Sequence, residues 1–554
     1  MSLPSYFTFS VSDPDETDLV LVSLHDSRTN FTVRTALPNS GKQTASIMAF
    51  AGARYSRADI SALELFKEIK DAKKSANEKL ATIFRQYGHA SVADMAQLFA
   101  YIENIPQILA WKFFYSTSLG GGQERSTRYQ DFSGSQIQSL KSCLTLENQE
   151  NVEAAQNYPK LNQEFENLQQ IGLDFYQKWV STLTEKYTQV YNIDPENKKH
   201  VGALTARVFD SARYFLPSGA CNRTSLAYIT SAREWARLIS IFKADSNHQL
   251  KYLAEQLEIL FAPEEEVAAV INYTPEASEL IRYTATAETQ SKALNRLSDF
   301  IKLQGLDLDS KPASSFRPIS VKLVNLNYSG ISKAIAQNIL TIYPNLEFEE
   351  VLEWISALTQ QQKLDLSETL FAGFNHHQQL PGQYQSNNYT FILTQAIAES
   401  RDLNRHRAWG RFTPFLEIQS DFIQLLDIGY HLPAYINDNP KLDLEKEDFV
   451  KDLESYYKEL YSFSKLAQKC NWFPEYLLLQ LLPFAHSADS FMHGSVKEFA
   501  YLSSLRTTPG CHINVRQIIY QMNQLLIEQE PLLTALNVKK APNSLSSEEF
   551  VDRS

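Results

Sequence analysis

Hydrophobic and polar positions alternate along this chain with two periods, and their interleaving predicts an α+β protein. Short aromatic and β-branched runs read as strands, Leu98-Phe99-Ala100-Tyr101-Ile102-Glu103 early and Val321-Lys322-Leu323-Val324-Asn325-Leu326 late. Amphipathic runs read as helices: Ala62 to Ile69, Ala76 to Tyr87 closed by Gly88, and Ile105 to Tyr115. Glu, Gln, Leu and Lys at helical spacing from Leu144 to about Tyr191 predict a long helical pair or hairpin. Ala212-Arg213-Tyr214-Phe215-Leu216-Pro217 closes a helix at proline, and Ser231 opens the next.

These signals recur in order. Leu98 to Ile102 is echoed by Asn388-Tyr389-Thr390-Phe391-Ile392, Arg213 to Pro217 by Leu479 to Pro483, and Ser231 to Trp235 by Ser495 to Phe499. The offsets fall from 290 (389 − 99) to 266 (483 − 217) and 264 (495 − 231), as a longer helical region in the first half requires. An internal duplication follows. The Gly- and Pro-containing stretch Leu303 to Pro318 is the linker, which predicts domains at 1–310 and 311–554, each a mixed sheet with a helical layer, paired as a pseudo-dimer.

Composition narrows the class. A chain of 554 residues, 44% hydrophobic and 21% charged, is globular and long enough for more than one core. A net charge of −12 argues against nucleic acid or a membrane surface as partner, while leaving room for a few arginines placed against an anion. No segment approaches ~20 uninterrupted apolar residues. Cys143, Cys221, Cys470 and Cys511 are scattered, without zinc spacing, and the first residues lack a signal pattern, so a reduced cytoplasmic location is expected. His376-His377 has no third ligand at useful spacing, and no metal is expected. Gly120-Gly121-Gly122 lacks the Lys-Ser/Thr of a phosphate-binding loop.

Candidate chemistry sits directly after those glycines. Gln123-Glu124-Arg125-Ser126-Thr127-Arg128-Tyr129 sets carboxylate, hydroxyl, guanidinium and phenol groups within seven residues. Two readings fit: a solvated loop of mixed charge, or a site for a phosphorylated polar ligand held by arginine forks and hydroxyls. Arg405-His406-Arg407 lies opposite Ser116-Thr117-Ser118 in the echo (405 − 116 = 289). It reads either as a basic helix end or as a pyrophosphate clamp.

Gly88-His89-x-Ser91-x-x-Asp94, Glu124-x-Ser126-x-Arg128-Tyr129, Ala212-Arg213-x-x-Leu216-Pro217 and Lys243-Ala244-Asp245-Ser246 together resemble the flavin-dependent thymidylate synthase family in its double-length form. The family pattern RHRxxSxNExSxRY is split here, RHR at Arg405, His406 and Arg407 and ExSxRY at Glu124 to Tyr129, with Gln123 replacing Asn. The resemblance implies that Gln123, Glu124, Ser126, Arg128, Tyr129 and Arg213 bind deoxyuridylate. It implies that His89, Ser91, Asp94, Arg405, His406 and Arg407 hold FAD. Arg213 and the counterparts of the family's late arginine, Lys243 and Arg506, are the catalytic candidates. The implied reaction is reductive methylation of deoxyuridylate to thymidylate with methylenetetrahydrofolate and NADPH, in a homo-oligomer built as a dimer of pseudo-dimers. A degenerate nucleotide- or flavin-binding homologue and a flavoenzyme acting on another nucleotide are the alternatives.

Overall fold

The computed structural model describes residues 3–13, 19–38, 44–56, 59–70, 80, 90–117, 119–144, 157–223, 225–271, 275–282, 284–286, 289–304, 316–324, 330–371, 389–417, 422–470, 472–494, 499, 502–503, 505–529 and 546–552. They fall into two compact units. The first comprises residues 1–125, 140–151 and 221–288, and the second residues 126–139, 152–220 and 289–554. From the first sequence half the second unit takes the helices Tyr158–Val190 and Lys198–Ala212. Residues 305–315 of the expected linker, the helical run at 76–87 apart from Leu80, and His376-His377 lie outside the described residues.

In the first unit, alternation within Leu19–Asp26 and Phe31–Pro38 produces two strands (β2, β3) joined at Ser27 to Asn30, where Asn30 takes a positive φ of 62°. Phe7–Val11 (β1), Gln97–Glu103 (β4), Gly121–Glu124 (β5) and Leu226–Ser231 (β6) complete a sheet ordered β1-β2-β3-β4-β6-β5. The helices Ala232–Ala244 and His248–Phe261 cover one face. Trp235 Nε1 donates to the Leu98 carbonyl at 3.1 Å, and Gln256 Nε2 caps the Leu24 and Phe31 carbonyls.

The second unit holds the sheet β7-β8-β10-β9, from Ser320–Leu323 (β7), Tyr389–Thr394 (β8), Gly410–Phe412 (β9) and Ser490–Gly494 (β10). Phe391, Leu393 and Met492 bury one face against Val515, Ile518, Ile519 and Met522 of the helix Ile513–Gln529. The helices Gly330–Ile342 and Phe348–Ala357 cover the other, with Phe348 against Phe491 and Gln337 bonded to His493.

Every pairing in both sheets is antiparallel, which corrects the expected mixed sheets. The cause is an insertion. The helix Gln107–Ser116 carries the chain from β4 to β5, which run the same way, but β6 enters between them in the opposite sense. Helix Ile397–Leu403 joins β8 to β9 in the same manner, with β10 between them. Of the stretch expected to form a helical pair or hairpin, residues 145–156 lie outside the described residues, and residues 158–190 form one continuous helix, since nothing there breaks the ladder once it has begun at Pro159.

That helix packs antiparallel on its counterpart Asp443–Ala467. Phe165 meets Phe463 with ring centroids 6.3 Å apart, and Trp179 meets Phe449 at 4.8 Å. One offset, 284 (449 − 165 and 463 − 179), turns the first pair into the second. The Leu-Pro turns repeat the relation with offset 266 (483 − 217). Ser218 N donates to Leu482 O at 2.8 Å and Phe484 N to Leu216 O at 3.0 Å, while Gly219 N donates to Gln480 O and Ala485 N to Tyr214 O. Each bond has its partner under exchange of the two segments, which is an internal two-fold centred on Pro217 and Pro483. Prolines suit that centre because the neighbouring residues supply the exchanged donors.

Trp179 is buried, stacks on Phe215 and donates Nε1 to Asp452 at 2.9 Å. Trp179→Ala is expected to lower unfolding free energy by about 3–5 kcal/mol, measured by urea denaturation followed by far-UV circular dichroism.

Candidate functional site

Within the second unit, segments far apart in sequence bring arginines and carboxylic acids to one region. The helix Lys198–Ala212 ends in the 3-10 turn Arg213–Phe215, so Arg207, Asp210 and Arg213 recur at helical spacing and share a face. Arg128 grips Asp210 with both forks, Nε to Oδ1 at 2.7 Å and NH2 to Oδ2 at 3.0 Å, and NH2 also donates to the Gly510 carbonyl. Arg213 donates NH1 to Thr127 Oγ1 at 2.9 Å and NH2 to Asp402 Oδ2 at 3.0 Å. Its Nε is buried and meets no acceptor among the described residues.

Helix Ile397–Leu403 delivers Glu399, Arg401 and Asp402, and Arg405-His406-Arg407 follows directly. Arg405 is exposed and His406 is buried. Arg506 Nε donates to His406 Nε2 at 2.6 Å, and its NH2 reaches the Asp402 carbonyl at 3.4 Å. Arg401 lies over the Phe484 ring at 4.9 Å.

Charges in this region are set by burial against their neighbours. Burial pushes the Asp402 carboxyl up, but Arg213 and Arg128 outweigh it and hold the group ionised, well below the usual range. Burial likewise raises Asp210, and Arg128 and His512 more than reverse it. Burial, together with Arg506, Arg411 and Arg405, lowers His406 to about 3, so its imidazole is neutral and accepts from Arg506. Burial lowers Arg401 to about 9, helped by Arg405.

Glu399 moves the other way. Burial raises it to about 7 against the opposing effect of the Tyr214 hydroxyl, which donates to it. Asn514 Nδ2 donates to that hydroxyl at 2.8 Å, and His512 stacks on the Tyr214 ring.

Arg207 ties the site to the end of the chain. Its guanidinium donates to the carbonyls of Pro509, Cys511 and Asp552 at 2.8, 3.3 and 3.2 Å. Phe550 stacks on Tyr191 at 3.9 Å, with Tyr187 and Tyr435 edge-on to it. The loop 507–511 that presents its Gly510 carbonyl to Arg128 is therefore clamped from behind.

The structure thus unites Ser126, Arg128, Tyr129, Arg213, Arg405, His406, Arg407 and Arg506 in one unit. Gln123 and Glu124 belong to the other, on edge strand β5 paired with Ala227 and Leu226. There Lys243 is ion-paired with Glu258 at 2.6 Å, Ser91 is exposed, and Asp94 pairs with Arg233 at 3.1 Å. His89 lies outside the described residues. Sequence reasoning missed Asp210, Asp402, Glu399 and Arg207. The three-residue spacing of Arg207, Asp210 and Arg213 was the available signal. Among the described residues no His, Cys, Asp and Glu cluster suits a metal ion, and no helix is long and apolar enough to cross a membrane.

Residues 37–263 match the family described as thymidylate synthase complementing protein. That segment belongs to this family. It contains the stretches at 88–94, 124–129, 212–217 and 243–246, whereas Arg405-His406-Arg407 lies beyond it. A UPF0159 protein of Chlamydia pneumoniae is 21% identical over 456 residues, covering 81% of this chain and 78% of that protein. A UPF0159 protein of Thermoplasma acidophilum is 23% identical over 521 residues, 87% and 93% of the two chains. Both align over most of their own length, so the long form is shared.

Glu399 supplies a stability test. Between its ordinary 4.5 and about 7 the folded protein keeps a proton that the unfolded chain has released, so stability falls as pH rises through that window. From pH 5 to pH 8 the native protein is expected to lose about 2–3 kcal/mol relative to Glu399→Gln, read from urea unfolding at stepped pH.

Proposed function

We propose that this chain is a flavin-dependent thymidylate synthase built as a tandem pair, methylating deoxyuridylate with methylenetetrahydrofolate as carbon donor and NADPH as reductant. The observation that supports it most directly is the meeting of Arg128 and Arg213 from the first sequence half with Arg405, His406 and Arg506 from the second, around Asp402. In this reading Arg128, Arg213, Ser126 and Tyr129 hold the nucleotide. Thr127 and Asp402 orient the Arg213 guanidinium and leave its buried Nε without an acceptor among the described residues. Arg213 and Arg506 stabilise negative charge developing on a pyrimidine carbonyl.

The residues fit a flavin in charge and exposure. Arg405 is an exposed guanidinium suited to a pyrophosphate, and neutral His406 is fixed by Arg506. Arg407 completes the proposed FAD contacts within this unit. FAD, when bound, supplies the redox and one-carbon chemistry, and the protein supplies position and electrostatics. The duplicated halves act as a pseudo-dimer, two chains assemble further, and the enzyme works in the cytoplasm.

A second reading has its own support. Asp210 and Asp402 already neutralise Arg128 and Arg213, as in a homologue that binds nucleotide or flavin without turnover. Rescue of a thymidine auxotroph by the full chain supports the enzyme, and failure of well-expressed protein to rescue supports the binding protein.

Arg405→Ala is expected to weaken FAD binding about tenfold or more while changing deoxyuridylate affinity about threefold at most. Flavin absorbance after reconstitution and nucleotide titration check this. Equal loss of both ligands, or of neither, contradicts the assignment.

A further inference from the structure

Tyr214 follows Arg213 directly in its 3-10 turn, and Glu399 stands one helical turn before Asp402 on the helix Ile397–Leu403. All four residues belong to the same unit. Two links therefore run in parallel between the turn and the helix. One is the ion pair of Arg213 with Asp402, and the other is the hydrogen bond that the Tyr214 hydroxyl donates to Glu399 Oε1.

The second link is held from several sides. Glu399 Oε2 accepts from the backbone N–H of Ala396 at 3.0 Å, and the Tyr214 oxygen accepts from Asn514 Nδ2 at 2.8 Å. His512 is buried, with Nε2 at 3.4 Å from the Asp210 carbonyl. A carbonyl only accepts, so Nε2 carries the ring proton and Nδ1 keeps a lone pair. That Nδ1 has no hydrogen-bond partner among the described residues, and it lies 3.7 Å from Glu399 Oε1. An ionised carboxylate sets negative charge against this lone pair, whereas a protonated one presents an O–H. Among the described residues no guanidinium is ion-paired with Glu399, since Arg213 directs NH1 to Thr127 and NH2 to Asp402. The groups acting on its charge are Tyr214 and Arg213 from the turn, Asp402 from its own helix and His512 from the segment before Ile513, with Asp210 beyond His512.

We propose that Glu399 is a positioning residue of the nucleotide site, and that the site takes up a proton onto Glu399 when it binds a phosphate dianion. The ligand named here rests on the nucleotide reading above. Arg213 favours an ionised Glu399, and Asp402 opposes it. A dianion arriving at Arg213 brings more negative charge toward a carboxyl that has no cation of its own. The complex therefore holds the Glu399 proton more tightly than the free protein does. By linkage, loss of that proton weakens the anion equally. Burial, outweighing the Tyr214 hydroxyl and Arg213, keeps the proton on the free protein up to about pH 7. Below that pH the carboxyl is protonated in both states and affinity does not depend on it. Above it the free protein has released the proton and the complex must recover it, so affinity falls as pH rises.

The test is calorimetric titration of the full chain with deoxyuridylate at stepped pH, in two buffers of different ionisation enthalpy, for native protein and Glu399→Gln. Glutamine stands in for the protonated carboxyl. A proton held about tenfold more tightly in the complex lowers native affinity about threefold between pH 7.5 and 9, with about half a proton taken up at pH 7.5. Both effects are expected to be absent from Glu399→Gln. The ligand's own second phosphate ionisation, at about pH 6, is over in this range. Tyr214→Phe removes a hydroxyl that helps Glu399 ionise, and is expected to move the fall in affinity to higher pH. Native protein that takes up no proton overturns the proposal whether or not the variants fold, and so does a folded Glu399→Gln that keeps the native pH dependence. Should native protein bind no deoxyuridylate, the nucleotide reading fails by itself and the titrations are made with sulfate, a dianion that does not titrate in this range. Sulfate affinity that falls with pH in native protein and not in Glu399→Gln supports the coupling, and equal dependence or no binding overturns it.

Discussion

A carboxylate taken out of water needs cations close by, and Asp402 finds them in Arg213 at 3.0 Å and in the nearby charge of Arg128. The requirement is mutual, since Arg213 is itself buried and leans on Asp402 and Thr127. Arg128 depends in the same way on Asp210. The chain segments around residues 128, 210 and 402 are therefore locked by charge compensation, and Arg506 is drawn in through His406 and the Asp402 carbonyl. Because the arginines are already oriented, a ligand arriving at the remaining donors would lose little freedom to fix them.

The two-fold at Pro217 and Pro483 gives that cluster its scaffold. Its hydrogen bonds are main-chain bonds, which any side chains can share, so the two copies of the turn keep their pairing while their side chains diverge. Divergence has gone one way at each position. Arg213 and Tyr214 on one segment correspond to Leu479 and Gln480 on the other, and the aromatic contacts of the two long helices, Phe165 with Phe463 and Trp179 with Phe449, remain interchangeable. Packing tolerates such exchange among apolar groups of similar volume. Charge does not, because each ion needs its own partner.

Much of this protein is legible in its residues alone. Strand β4, the helix after it, the helix opened by Ser231 and the Leu-Pro turns follow from local signals: period-two alternation, a side-chain cap, a proline that ends the ladder. The same strings reveal the duplication, and Arg128, Arg213, Arg405 and Arg506 stand out as anion-binding residue types in recognisable settings. The sheets' sense is not legible, because it depends on β6 and β10 inserting between strands that precede them by about a hundred residues. Nor are the roles of Asp210, Asp402 and Glu399, which look like surface acids in the sequence. Tertiary structure alone decided that Asp210 and Glu399 are buried and Asp402 half-buried, that the two aspartates stay ionised against guanidiniums, and that the glutamate keeps its proton near neutrality. The reason is dielectric: a carboxyl group's state is set by the water it loses and the charges it meets, and neither is written in its neighbours along the chain.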